Sequence, residues 1–171
     1  LTNWMLNRKL MQWLFRKLFK LADIPLVNSF TIKKWRHPLF HKHPVIPPYL
    51  TLSTAEKKRS VILLQDSFTS FYESTAMNIY DFLTSLGVKV FVLPFFPNGK
   101  PLHVKGFLNQ FEKRVRKNSF YLSEIAKSGI PMIGIDPSIT LTYRDEYKKL
   151  LGNETLGFEV KLIQEWLSEN M

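Results

Sequence analysis

Polar and charged side chains follow three apolar runs of this sequence, at the points where those runs end. The nine candidate residues are Asp66, Ser67, Thr69, Asn98, Lys100, His103, Asp136, Tyr143 and Arg144. A carboxylate, an amine and an imidazole on one rim are groups that a hydrolase or transferase could use. No spacing of nucleophile and base identifies such an enzyme, so the residues predict a polar rim and leave the catalytic residues unknown.

The same residues also allow a purely structural interpretation. Asp66 and Asp136 each precede a predicted helix and could cap it. Arg144 could form an ion pair with a carboxylate of the scaffold, and His103 could be a helix cap or a core contact. The sequence leaves both interpretations open.

Short apolar runs alternate with segments of helical periodicity after residue 60. The predicted strands are 60–65, 88–93, 130–135 and 157–162, and the predicted helices are 73–86, 104–128, 139–150 and 163–169. Strands that alternate with helices pair in parallel through right-handed crossovers. We therefore predict an α/β fold, a small three-layer domain with a mainly parallel sheet of about four strands.

The predicted sheet also explains why the candidate residues should lie together. Ligands of an open parallel sheet bind beyond the carboxyl ends of its strands. The candidates follow three of those strands, so we expect them to converge on one crevice. Asn98-Gly99 is a turn signal that would present Lys100 and His103 to the same rim.

Several enzyme classes lack their motifs in this chain. Neither GxGxxG nor GxxxxGK[ST] occurs, and GxSxG and HExxH are also absent. The chain contains no Cys, which excludes disulfides, thiol nucleophiles and Cys-ligated zinc or iron–sulphur clusters within it. No metal site is predicted, and three histidines of the first third (His37, His41 and His43) are interpreted as exposed linker residues.

The excess positive charge is confined to the first third of the chain. Residues 1–60 contain 12 Lys/Arg and 2 Asp/Glu, whereas residues 61–171 contain 12 of each. Residues 3–21 place apolar side chains at helical spacing with basic ones between them, which predicts an amphipathic basic helix. This helix could dock on a neighbouring domain or contact an anionic membrane surface. Nucleic acid is disfavoured because the charge lies on an arm.

A Pro-rich connector follows that helix, so we predict an arm over 1–59 and an α/β domain over 60–171. The apolar stretch 5–21 is interrupted by basic residues and cannot span a bilayer. Without a visible signal peptide, we expect a cytoplasmic protein, with peripheral contact to the inner membrane through residues 3–21 as an open alternative. Because the chain does not begin with Met, we interpret it as a segment of a longer protein.

Three strings of the α/β region resemble one protein family. They are VILLQDSFTSFYE at 61–73, LPFFPNGKPLHVKGFL at 93–108 and GIPMIGIDPSITLTYRDEYKKLLG at 129–152. They are similar to the C-terminal domain of bacterial FAD-linked, iron–sulphur oxidoreductases of the D-2-hydroxyglutarate dehydrogenase, glycolate oxidase and D-lactate dehydrogenase type. The resemblance implies upstream FAD and [4Fe–4S] domains in the same polypeptide, and a small 2-hydroxy acid as substrate of the intact enzyme.

The α/β region also resembles the cysteine-rich CCG modules of such enzymes, in which Cys residues at strand ends hold a cluster. Thr142 occupies a position where members of the resembled subgroup have Cys. Without thiolates this segment is expected to hold no redox cofactor, to be inactive alone, and to serve as a scaffold or accessory domain. The alternative is a non-enzymatic binding module that uses its basic arm on anionic membrane or nucleic acid.

Overall fold

The computed structural model describes residues 8–20, 52–67, 73–93, 95–152 and 156–171. Helix α1 (Lys9–Phe19) confirms the central part of the amphipathic helix predicted over 3–21. The candidate Thr69 and the three linker histidines lie outside the described residues. Within the described ranges, no helix has both the length and the apolar character needed to cross a membrane.

One four-stranded parallel sheet organises the α/β region. Its strands are β1 (Ser60–Leu63), β2 (Lys89–Val92), β3 (Met132–Gly134) and β4 (Val160–Leu162), in the spatial order β2-β1-β3-β4. All three pairings are parallel, with Ile62 opposite both Phe91 and Met132, and Ile133 opposite Lys161. The predicted fold class is therefore confirmed, although each strand is shorter than its apolar run.

Helices cover both faces of this sheet. They are α2 (Thr54–Lys58), α3 (Glu73–Ser85), α4 (Lys100–Val104), α5 (Leu108–Ala126), α6 (Pro137–Arg144), α7 (Glu146–Leu151) and α8 (Ile163–Asn170). Successive strand residues point to opposite faces. Ile62 and Leu64 belong to a core shared with α5, α6 and α7, whereas Val61 and Leu63 belong to a core shared with α3 and α8. The domain therefore has the three predicted layers.

The helix predicted over 104–128 is wrong in its first turn, because the chain forms two helices there. Gly106 has a positive φ of 76° and lies between α4 and α5. Two backbone hydrogen bonds around it close a Schellman motif, which ends α4. Val104, Phe107 and Leu108 share the helical spacing of the residues that α5 buries. They are 72%, 51% and 56% exposed instead, since the break turns them outward.

Two other boundaries differ from the predictions. The helix predicted over 139–150 is divided at Asp145 into α6 and α7. The predicted connector contains α2, which begins with a capping box: Ser53 Oγ accepts the Glu56 N–H, and Glu56 Oε2 accepts the Ser53 N–H at 2.8 Å. Leu52 already packs against the larger core, although the division between residues 59 and 60 stays a prediction.

Candidate functional site

The carboxyl ends of β1 and β3 lie where the connections of the sheet diverge. The chain passes from β1 to β2 on one side and from β3 to β4 on the other. In open parallel sheets this reversal of direction creates a crevice that commonly binds ligands. Asp66 follows β1 and Asp136 follows β3, so the topology places both carboxylates at this edge.

These two carboxylates have different surroundings. Asp136 Oδ1 accepts the Ile139 N–H at 2.9 Å and caps α6, so its local role is the structural one. Asp66 is buried beside Tyr143. Burial, followed by the neighbouring Tyr147 and the carboxylate of Asp66, raises the pKa of the Tyr143 hydroxyl well above its ordinary value. Tyr143 therefore stays neutral in the interior.

The loop after β2 is held by the buried Asn98. The Asn98 side chain donates from Nδ2 to the Ile139 carbonyl at 3.3 Å, and its Oδ1 accepts the Lys100 N–H at 3.0 Å. The Asn98 carbonyl accepts a hydrogen bond from the Tyr147 hydroxyl at 2.6 Å. This loop is thus bound to the segment that follows β3, and Lys100 begins α4 from a fixed position.

Asn118, on α5, completes this buried polar network. Its Nδ2 donates to the Tyr147 hydroxyl at 2.9 Å and to the Pro97 carbonyl at 3.0 Å. Burial raises the pKa of the Tyr147 hydroxyl, and the hydrogen bond from Asn118 opposes the shift only in part. We call Asn98, Asn118 and Tyr147 the polar network. It connects three segments of the chain without any charged member.

A charged cluster of Lys100, His103 and Glu146 lies on this network. Lys100 Nζ forms an ion pair with Glu146 Oε1, and His103 Nδ1 lies 4.0 Å from the same oxygen. Burial acts to raise the pKa of Glu146, but the hydrogen bond and charge of Lys100, together with His103, lower it overall. The His103 ring packs on Phe111 with centroids 4.9 Å apart. Packing against Phe111 therefore holds the cluster on its inner side, while its outer side is partly open to solvent.

Gly99 sets the close approach of this loop to α5. Its φ is +92°, and an added Cβ would lie 2.9 Å from the Phe111 ring and 3.2 Å from Arg114 Cγ. Only glycine accommodates both the backbone conformation and this contact. Asn98-Gly99 therefore forms a turn that leads directly into α4 at Lys100.

Arg144 does not join the cluster. Its Nη1 donates to both carboxylate oxygens of Glu165, at 2.7 and 2.8 Å. Glu165 Oε2 also accepts the Leu162 N–H at 2.8 Å, at the start of α8. The hydrogen bond from Arg144 lowers the pKa of Glu165. Arg144 therefore fixes the junction of β4 and α8, as the structural interpretation allowed.

Gln65 is the most unusual side chain of the β1 end. It is 3% exposed, and neither atom of its amide has a hydrogen-bond partner in the part of the chain that the structure describes. Buried polar groups without partners are rare in folded proteins. Ser67, two residues on, is partly exposed. Among the described residues there is no group of three or more His, Asp or Glu side chains arranged to hold a metal ion.

The sequence located one part of the site and missed another. Asn98, Lys100 and His103 do lie together, while the glutamate that pairs with Lys100 was not a candidate. Asn118 could have been found, because it stands between Val115 and Leu122 on the buried stripe of α5. A polar residue in such a position needs a partner inside the protein.

Comparison with known proteins yields relatives along nearly the whole chain. It is 38% identical over 169 residues to the D-2-hydroxyglutarate dehydrogenase of Escherichia coli (strain K12), which covers 97% of this chain and 16% of that protein. The chain is thus similar to one segment of D-2-hydroxyglutarate dehydrogenases. The protein of that name from Haemophilus influenzae is 35% identical, and the match covers 99% of this chain and 17% of that protein. The one from Pantoea ananatis is 41% identical, and the match covers 87% of this chain and 15% of that protein.

These matches bear on the predicted resemblance in two ways. The relatives are named D-2-hydroxyglutarate dehydrogenase, which confirms the part of the predicted resemblance that names this enzyme. The chain spans about a sixth of the length of the curated relatives it matches. The match to the Haemophilus protein covers 170 residues, so the similarity includes the basic arm as well as the α/β domain. No family model matches the chain. No solved structure matches it either.

Proposed function

We propose that this chain is the C-terminal domain of an FAD- and [4Fe–4S]-dependent dehydrogenase that oxidises a D-2-hydroxy acid of the D-2-hydroxyglutarate type. The observation that carries the proposal is the 35–41% identity to D-2-hydroxyglutarate dehydrogenases. In the reaction, the C2–H and O–H bonds of the hydroxy acid break and the 2-oxo acid forms; the flavin of the upstream domains would accept the C2 hydrogen with its two electrons, and the hydroxyl proton would pass to a base or to solvent. The hydroxy acid and the upstream domains are the proposed partners.

The redox groups belong, in this proposal, to the other five-sixths of the full-length protein. An iron–sulphur cluster is normally held by Cys thiolates, and this chain has no Cys. It also lacks the glycine-rich dinucleotide fingerprint. Without Cys the residues of this chain do not fit a Cys-ligated cluster, and the proposal places the flavin in the upstream domains as well.

The domain contributes a rigid, charged edge to the enzyme. Hydrogen bonds of the polar network fix the Asn98 loop and α7, and these carry Lys100 and Glu146. Side chains that are held by buried second-layer contacts are suited to precise recognition. We propose that the charged cluster contacts the upstream part of the enzyme and that the domain acts as an accessory to turnover.

The enzyme proposal is tested on the full-length protein by anaerobic addition of D-2-hydroxyglutarate, D-lactate or glycolate. Flavin and iron–sulphur absorbance should be bleached by D-2-hydroxyglutarate, and the L enantiomer should have no effect. A colourless full-length protein, or one that none of these acids reduces, would contradict the proposal.

The role of the cluster is tested with Lys100→Met in the full-length protein, since methionine keeps the apolar stem and removes the charge. Lys113→Met, an exposed lysine on α5, is the matched control. We expect the cluster variant to turn over more slowly with its redox absorbance intact, and the control to match the wild type. Equal turnover of all three proteins would refute a role for the cluster while leaving the dehydrogenase assignment intact.

A further inference from the structure

Helix α1 carries large apolar side chains that the rest of the described chain does not cover. Leu10, Trp13 and Leu18 are 68%, 54% and 67% exposed. Trp13 and Leu18 follow Leu10 by three and eight residues, so the three side chains lie within an arc of about 140° around the helix, with Leu10 between the other two. An 11-residue helix is marginal in water unless its apolar side packs on a surface. The helix therefore requires an apolar environment for that side.

All the charged side chains of this helical segment are positive. Residues 8–20 contain three lysines and two arginines and no Asp or Glu. Lys17 Nζ lies 4.8 Å from the centre of the Trp13 ring, a cation–π contact that places a positive charge against this exposed aromatic side chain. The surface that receives the helix must therefore be apolar in its interior and negative at its rim.

An anionic lipid bilayer has both properties. Protein interfaces are depleted in lysine, whereas a helix lying in a membrane interface places Trp and Leu at the acyl boundary and lysines at the phosphates. Trp is also enriched at the level of the lipid headgroups. The exposed Trp13, in a segment whose charged residues are all basic, thus favours lipid over a second protein surface.

We propose that α1 binds the surface of an anionic bilayer with its helix axis parallel to the plane of the membrane. Leu10, Trp13 and Leu18 enter the boundary of the acyl chains, and Lys9, Lys17 and Lys20 contact lipid phosphates. The helix does not span the bilayer. This proposal is independent of the substrate and redox groups of the full-length enzyme.

The test measures co-flotation of the full-length protein with vesicles of phosphatidylcholine alone or mixed with phosphatidylglycerol. The charge variant is Lys9→Gln/Lys17→Gln/Lys20→Gln, and the apolar variant is Trp13→Ser/Leu18→Ser. The first is matched by Lys113→Gln/Lys117→Gln/Lys148→Gln, which removes three exposed lysines elsewhere. The second is matched by Phe120→Ser, since Phe120 is 73% exposed on α5.

We expect the wild type to bind only the vesicles that contain phosphatidylglycerol. Each basic residue near an anionic surface strengthens binding by about fivefold, so the charge variant should bind about 100-fold more weakly. The apolar variant should lose about tenfold or more, while the matched controls stay within about twofold of wild type.

Four results would overturn the proposal. They are absence of binding to anionic vesicles, equal loss in the matched controls, binding that survives both helix variants, and loss in the charge variant without loss in the apolar variant. The last result would indicate a soluble polyanion such as nucleic acid, which has no need of Trp13. Those four results come from flotation; a fifth overturning result, from proteolysis, is increased protease sensitivity of the apolar variant in the absence of vesicles, which would place α1 on a protein surface instead.

Discussion

Removal of the Tyr147 hydroxyl is the most direct perturbation of the polar network. In the wild type this hydroxyl donates to the Asn98 carbonyl at 2.6 Å and accepts from Asn118 Nδ2 at 2.9 Å, and the side chain is fully buried. Tyr147→Phe leaves the Asn98 carbonyl without that donor. Asn118 keeps its bond to the Pro97 carbonyl, so most of the cost comes from one unpaired buried acceptor.

A buried acceptor that loses its partner costs about 1–3 kcal/mol, so we expect the free energy of unfolding to fall by about 2 kcal/mol. For a domain of this size the melting temperature should fall by about 8 °C. Urea denaturation followed by circular dichroism measures the first quantity, and a thermal scan measures the second. The slope of unfolding free energy against urea should not change, because the exposed area on unfolding is the same.

Tyr121→Phe is the matched control. Tyr121 is partly buried and packs edge-on against Phe96 with ring centroids 5.4 Å apart, but its hydroxyl makes no hydrogen bond within the described residues. The control should change stability by less than about 0.5 kcal/mol. If Tyr147→Phe were equally mild, the hydroxyl would not be paired inside the protein, and the reasoning that fixes the Asn98 loop would fail.

Three further predictions concern stability. Glu165→Ala removes the acceptor at the start of α8 and should lower the unfolding free energy by about 1 kcal/mol, whereas Glu165→Gln should lose less; thermal denaturation compares them. Glu146→Gln should cost up to about 1 kcal/mol at neutral pH, because the ion pair with Lys100 is partly exposed. Since the pKa of Glu146 is lowered in the fold, this stabilisation is present above 4.5 and is lost as pH falls, so urea titrations at acid pH should converge for wild type and variant. The raised pKa of Tyr143 has the opposite sign: its contribution to the free energy of unfolding is fully present below the ordinary tyrosine pKa of 10 and is lost as pH rises above that value. Tyr143→Phe should reduce this loss of stability, which unfolding measured at alkaline pH would detect.

The alternation of strands and helices was predictable because each element of this domain has a clear periodicity. The run at 60–65 is buried throughout its strand, and the stripe on α5 places Phe111, Val115 and Leu122 in the core. The break at Gly106 was not predictable from periodicity, since Val104 and Phe107 continue the same apolar stripe. Their exposure depends on a local hydrogen-bonded motif, which outweighs the pattern.

The positions of candidate residues along the sheet could be predicted from the rule that ligands bind beyond the carboxyl ends of parallel strands. Contacts between side chains of different helices could not be predicted in this way. The rule for parallel sheets predicts Asn98, Lys100 and Asp136 beyond the carboxyl ends of strands, and in the structure they follow β2 and β3 along the chain. It could not identify the partner of Lys100, because Glu146 lies 46 residues further along the chain. It could not separate Arg144 from the cluster either, since its pairing with Glu165 depends on where α8 begins.

The distribution of burial separates what this chain does alone from what it would do within the proposed enzyme. Every hydrogen bond of the polar network is made within the described chain, so the network should stabilise the domain without any partner. The side chains of Lys100, His103 and Glu146 keep 25%, 38% and 18% of their surface exposed on the same edge. Within the proposed enzyme, Lys100→Met should slow turnover while it lowers the stability of this domain by no more than the roughly 1 kcal/mol of the ion pair with Glu146. That combination would identify the edge as the contact with the upstream part. A Tyr147 variant should lower both together, because it acts on the cluster only through the fold.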